Sequence, residues 1–441
     1  MRNIRTLLIV LAGIVSLALL SACGSANSAD SISGAGKIVV MGCDWGPAVT
    51  KVIVTVPEDL DKDQELSPEM FTVKEIKKSS LIPETTVRSV SDVYFSDDSG
   101  NPVDTSSGFA ANTITLELSY SSTEGSPFFY DQNSGFNKWA KEYSLEVTMQ
   151  KGNTLLLSDK TAVSLNVEPV SFKNEPDPDT VLMPEIANAD TNGVFTGSEG
   201  NTLTYASFAP SNASEENRRP LVIWLHGAGE GGTDPRITMY GTKTVALMGD
   251  EFQGIMDGAY ILVPQTAEYW KRNESGAYFD NGNPGDHSLY LHDLQELIEE
   301  FVRSNYIDPD RIIIGGGSNG GFMSLDLLIH YPDYYAASYL VCEIYEPEQI
   351  SDEELKAIKD IPMWFVYSKD DQTVVPSLYE EPLIKRLENA GCEEVRVTVF
   401  DGVHDSLGNQ YLGHFSWIYF FNNECYDDGL SLWEWISYQS K

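Results

Sequence analysis

The run Arg311-Ile312-Ile313-Ile314-Gly315-Gly316-Gly317-Ser318-Asn319-Gly320-Gly321 constrains the fold more than any other part of this chain. A short apolar strand leads directly into Gly316-x-Ser318-x-Gly320, and residues 322–330 then read as a helix. Strand, tight turn and helix in that order describe a nucleophile elbow, which lifts a serine hydroxyl above the sheet edge. Glycines two before and two after the serine remove Cβ atoms that would collide in such a turn. The competing reading is a glycine-rich loop with an incidental serine. It does not account for the parts that recur in order on either side.

From about Thr191 onward, strands alternate with helices, which implies parallel β-α-β units. The strand candidates are 221–225, 260–263, 311–315, 336–341, 363–367 and 395–400, with helical spacing in 289–302 and 378–390. The expected fold class for residues 191–441 is therefore α/β, a mostly parallel sheet flanked by helices, of the α/β-hydrolase type. Directly after the 221–225 strand comes His226-Gly227-Ala228-Gly229-Glu230. In that fold a His-Gly turn at this place supplies one N–H of an oxyanion hole, and the residue after the nucleophile supplies the other. Ala228, with Gly229 as the alternative, and Asn319 are the expected donors. Fixed N–H groups there act on charge that exists only in the transition state. His226 precedes the nucleophile and reads as a structural part of the turn.

The acid and base follow the serine in chain order Ser, Asp or Glu, His. Asp370 and Asp371 stand just past the 363–367 strand. Asp371 is favoured because the apolar pair Val374-Val375 begins three residues after it. Its task is to orient an imidazole and stabilise the charged form. Chain order removes His226, His287, His292 and His330, leaving His404 and His414. His404 sits at the end of the last strand and His414 beyond it, and spacing alone does not choose between them.

The N-terminus has a different chemistry. Arg2 and Arg5 precede an apolar run, and Leu20-Ser21-Ala22-Cys23 follows. A positive segment, an apolar core and small residues before the cleavage point describe a secretory leader. The run is shorter than the roughly 20 residues a membrane-spanning helix needs. The cysteine at the cleavage point makes residues 1–22 resemble a bacterial lipoprotein signal, which implies lipidation of Cys23 and a place in the cell envelope. Residues 23–36, rich in Ser, Ala and Gly, read as a flexible tether. Residues 37–170 read as short alternating strands between turns, an all-β Ig-like sandwich in architecture. Residues 171–190, with Pro176, Pro178 and Pro184, read as a linker.

The formal charge of −37 repels phosphate backbones and argues against nucleic-acid partners. Cys43, Cys342, Cys392 and Cys425 have no short spacing that points to a metal site, and their pairing is open.

From about residue 195 onward the chain resembles bacterial esterases that join an Ig-like N-terminal domain to an α/β-hydrolase domain. The pieces that carry the resemblance are Leu225-His226-Gly227-Ala228-Gly229-Glu230, Pro264-Gln265, Tyr306-Ile307-Asp308-Pro309-Asp310-Arg311, the elbow, and His414-Phe415-Ser416-Trp417-Ile418. The span from Ile307 to Gly321 also resembles feruloyl esterases, polyhydroxybutyrate depolymerases and prolyl oligopeptidase-like hydrolases. The resemblance implies that the base is His414. The chain departs from the pattern by an extra loop between His404 and Gly413.

The expected function is thus a surface-anchored serine hydrolase cleaving carboxylic esters, feruloyl or acetyl esters among them, through an acyl-enzyme. Ser318, Asp371 and His414 are expected to act together, with His404 as the alternative base. No metal or organic cofactor is required. The partners implied are a small or polymer-linked ester and, through Cys23, a membrane. The sandwich is expected to serve as spacer, assembly surface for oligomers or pocket wall. Two other readings stay open: a peptidase of the prolyl oligopeptidase-like group, and a non-catalytic binding lipoprotein.

Overall fold

The computed structural model describes residues 30–80, 82–104, 106, 111–273 and 287–441. Cys23 and the leader lie outside the described residues, as does the tether as far as residue 29.

The strand Asp30–Cys43 opens the sandwich and serves two sheets at once. Its first residues pair parallel with Ala162–Val167, and from Ala35 it pairs antiparallel with Gly46–Thr55. The expected tether therefore ends before residue 30. The Ser, Ala and Gly of 30–36 do not make a flexible segment, because Gly34 and Gly36 are packed against the sandwich core. A Cβ on Gly34 would lie 2.7 Å from Val54 Cγ1.

The expected linker 171–190 is likewise drawn into structure. Val170–Phe172 pairs with residues 143–145 of Glu142–Met149, and Val181–Leu182 pairs with Ile38 and Val39. Pro176 and Pro178 fall between these short strands, and Pro184 opens a 3-10 turn after the second, so none interrupts them. Within the sandwich the buried Arg88 guanidinium donates to Glu75 Oε2 at 2.6 Å, and the Tyr143 hydroxyl donates to the same oxygen at 2.8 Å.

The second domain carries an eight-stranded sheet, numbered here by itself. Its strands are β1 (Ala189–Thr196), β2 (Thr202–Phe208), β3 (Arg219–Leu225), β4 (Tyr260–Gln265), β5 (Ile307–Gly317), β6 (Ala337–Val341), β7 (Met363–Ser368) and β8 (Val395–Phe400). The order is β1-β2-β4-β3-β5-β6-β7-β8. Strands β3 to β8 run parallel, and β1 and β2 run antiparallel at one edge. Both faces of β3, β4, β6, β7 and the 312–317 part of β5 are buried, so these sequences are near-continuous apolar runs, whereas the edge strand β8 is half-buried and carries Arg396 and Thr398. Successive side chains nevertheless alternate between two cores. Leu221, Ile223 and Leu225 join the core containing Leu294, Phe322 and Phe365, whereas Val222 and Trp224 join the other.

That other core does not stop at the domain boundary. It runs from Val40, Val49 and Phe172 of the sandwich through Tyr240, Val245 and Leu247 to Trp224, Trp364 and Trp433. The C-terminal helix Leu432–Tyr438 buries Leu432, Trp433, Trp435 and Ile436 in it. Its start is set by Ser431 and Glu434, which cap each other's backbone N–H groups. The four cysteines of the described residues are buried and unpaired.

Candidate active site

Strand β5 ends at Gly317, and the helix Asn319–His330 begins two residues later. Ser318 between them sits at φ 55° and ψ −113°, a conformation that costs a non-glycine residue on the order of 1–3 kcal/mol. The surroundings impose it. Ser318 N donates to Val341 O at 2.8 Å, and Phe322 N donates to Ser318 O at 3.1 Å. A Cβ on Gly316 would lie 2.5 Å from Leu225 O, and one on Gly320 would fall on the same carbonyl. The turn can be this tight only with glycine at both positions. Ser318 is buried apart from a small face that opens into a cleft.

His414 Nδ1 lies 2.8 Å from Asp371 Oδ2, and because the carboxylate accepts, Nδ1 carries the proton and Nε2 is left for the serine side. Asp371 Oδ1 accepts the N–H groups of Thr373 and Val374 at 2.8 and 2.9 Å, which locks the carboxylate in place. Ser318 and His414 line the same cleft. His414 reaches Asp371 because Gly413 lets the chain pass close by: a Cβ there would lie 2.5 Å from Asp371 N. Asp370 has no hydrogen bond to His414; its Oδ1 accepts from Ser368 Oγ at 2.6 Å. His404 is exposed on the small hairpin Val403–His404 with Gln410–Tyr411, apart from the residues lining the cleft. The structure thus brings Ser318, Asp371 and His414 together and leaves His404 and Asp370 outside the arrangement.

The turn after β3 forms a short 3-10 helix, Ala228–Glu230. Gly227, Ala228 and Gly229 all face the cleft beside Ser318. Asn319 supplies the first N–H of its helix, a donor without an intrahelical acceptor. Its side-chain Oδ1 accepts from Trp270 N at 2.6 Å, which pins the residue. His226 is fully buried, and Thr266 N donates to its Nε2 at 3.3 Å, so its proton sits on Nδ1 and goes to Gly227 O at 2.6 Å. Burial lowers its pKa to about 4, keeping the ring neutral and structural. Trp270 is buried against this ring, at 5.0 Å between centroids, and packs there rather than facing the cleft.

The cleft holds about 490 Å³. One wall comes from the sandwich. Tyr130 and Asn137 belong to the hairpin Phe128–Asp131 with Phe136–Trp139, and Asp44 and Trp45 stand at an adjacent strand end. Asp44 is tied across the boundary by Lys243 Nζ at 2.8 Å and by Ser406 N at 3.0 Å, and these contacts lower its carboxyl pKa despite burial. Trp139 Nε1 donates to Asp234 Oδ2 at 2.9 Å, a second strap between the domains. None of these wall residues belongs to a motif, so the sequence offers no local signal for them.

Residues 36–160 match the esterase Ig-like N-terminal domain, and residues 274–405 match the prolyl oligopeptidase family. The chain joins an esterase-type Ig-like domain to a serine hydrolase domain of the prolyl oligopeptidase type. Ser318 and Asp371 lie inside the second match, and His414 lies just past its end. Over 190 residues the chain is 28% identical to the acylamino-acid-releasing enzyme of Sus scrofa and 27% identical to that of Mus musculus. Each alignment covers 40% of this chain and 23% of the other protein, so the chain spans under a quarter of the length of these curated relatives. The crystal structure of a thermostable esterase is similar across 93% of this chain and 100% of its own, with a TM-score of 0.73 and 24% identity. That likeness concerns the fold: sandwich and hydrolase domain occur together in both.

Proposed function

We propose that the protein is a carboxylesterase working through an acyl-enzyme on Ser318. The observation that carries this reading is the Asp371–His414 pair facing the same cleft as the strained Ser318. Ser318 Oγ attacks the ester carbonyl carbon while its proton passes to His414 Nε2. The N–H groups of Ala228 and Asn319 receive the developing O⁻. Collapse breaks the ester C–O bond, and the proton on His414 goes to the leaving alcohol. Water then repeats the sequence, releasing the acid and restoring Ser318. Asp371 holds the imidazole in the required tautomer throughout.

Preference for esters over peptides is supported by the esterase-type sandwich that walls the cleft. Aromatic side chains there, Trp45, Tyr130, Tyr269, Phe415 and Trp417 among them, fit an aromatic acyl or alcohol group such as a feruloyl ester. A peptidase reading is favoured by one observation, the partial identity to acylamino-acid-releasing enzymes. Purified protein should hydrolyse p-nitrophenyl acetate and butyrate and methyl ferulate. It should leave an N-acetylaminoacyl anilide nearly untouched. The reverse ranking would favour the peptidase. The leader-like composition of residues 1–22 supports extending this reading to a cell-envelope enzyme held by lipid on Cys23. Cys23→Ser should move activity from the membrane to the soluble fraction, and unchanged membrane association would count against the anchor.

A further inference from the structure

Glu230 is a buried carboxyl inside the catalytic cleft, and the acyl-transfer steps above give it no task. Its Oε2 accepts the Gly227 N–H at 2.9 Å, and its own N–H donates back to Gly227 O at 3.3 Å. Its main-chain carbonyl is held in turn by Gln265 Nε2 at 2.9 Å. Gly227 stands beside the nucleophile: a Cβ built on it would lie 4.0 Å from Ser318 Cβ and 3.6 Å from Glu230 Oε2. The carboxyl therefore closes the turn that presents Ala228, next to the place where the oxyanion forms. Gly241 packs against it so tightly that a Cβ there would lie 2.9 Å from Glu230 Oε1.

We propose that Glu230 is a positioning residue for the oxyanion turn, its carboxyl fixing Gly227 and so aiming the neighbouring N–H. This rests on the reading of Ser318 as nucleophile. Burial raises the Glu230 carboxyl to about 8, and no cation pairs with it among the described residues. The titratable groups that line the same cleft are Asp44, held by Lys243, with Tyr130, Tyr269 and His414, and the buried His226 donates to the same Gly227 carbonyl that takes the Glu230 N–H. Below that pH the carboxyl is neutral and the turn is held. Above it, ionisation puts negative charge beside the developing O⁻, which disfavours the transition state.

The test uses kcat and KM against pH for a p-nitrophenyl ester, corrected for spontaneous hydrolysis, on the full chain. Glu230→Gln keeps an acceptor for Gly227 N–H. It should retain most of the neutral-pH kcat and lose the decline above about pH 8. Glu230→Ala releases the turn and should lower kcat by about 10- to 100-fold with little change in KM. Wild-type kcat in Glu230→Ala would overturn the inference, as would an alkaline decline unchanged in Glu230→Gln. Should Glu230→Ala fail to fold, the Glu230→Gln profile still decides. Labelling of Ser318 by a fluorophosphonate in the wild type tests the underlying reading separately.

Discussion

Gly413→Ala offers the sharpest test of how the base is placed. The added Cβ would sit 2.5 Å from Asp371 N and 2.6 Å from the Asp370 carbonyl carbon. Both are backbone atoms in a segment locked by the Thr373 and Val374 N–H bonds to Asp371, so the 413–415 turn must give way. Ordinary carbon contact distances require a retreat of roughly 1 Å. The 2.8 Å bond from His414 Nδ1 to Asp371 Oδ2 would then exceed hydrogen-bond range. Gly413 is outside the left-handed region, so backbone strain does not confuse the result. A misplacement of about 1 Å at a catalytic group lowers the rate on the order of 10²-fold. We expect that loss in kcat for p-nitrophenyl butyrate, a small change in KM and a folded protein by circular dichroism. Gly254→Ala, where a Cβ meets open space, is the control and should be neutral. Wild-type kcat in Gly413→Ala would refute the claim that this close approach positions His414.

Asp371→Asn keeps the shape, but its one amide oxygen stays with the Thr373 and Val374 N–H groups and its NH2 then faces His414 Nδ1 and imposes the wrong tautomer, so kcat should fall about 10⁴-fold, whereas Asp370→Asn should be mild; pre-steady-state ester hydrolysis reads both. Arg88→Ala strands the buried Glu75 carboxylate and should cost about 3–5 kcal/mol in urea unfolding, and no measurable loss would contradict the burial of that pair. A chain starting at Asp190 uncovers Tyr240, Val245 and Leu247 of the shared core and should aggregate or bind a hydrophobic dye. A monomeric, fully active truncation would show that the sandwich does not support the cleft.

Much of the hydrolase domain was legible because each of its key residues follows the C-terminal end of a parallel strand. Ser318 follows β5, Ala228 follows β3 and Asp371 follows β7. The continuous apolar runs of those strands stand out in any sequence. Strands β1 and β2 offer no continuous apolar run: β1 is the edge strand, largely exposed and rich in Thr, Asn and Asp, and β2 beside it mixes Thr, Ser and Tyr with its few buried apolar residues. Choosing between His404 and His414 required the resemblance, since the deciding contact, Gly413 against Asp371, joins residues far apart in the chain. The glycines of 30–36 were misread because composition does not tell a flexible glycine from a tightly packed one. The sandwich's share in the cleft was only one of three readings, because Tyr130 and Asn137 reach the site through domain packing alone.

The central claim is that Ser318 is the nucleophile of an acyl-enzyme. Intact-mass analysis after reaction with a fluorophosphonate, followed by peptide mapping, tests it most directly. One adduct per chain on the peptide containing Ser318, absent in Ser318→Ala and slowed in His414→Ala but not in His404→Ala, is the predicted result. An adduct on another residue, or equal labelling of Ser318→Ala, would contradict it.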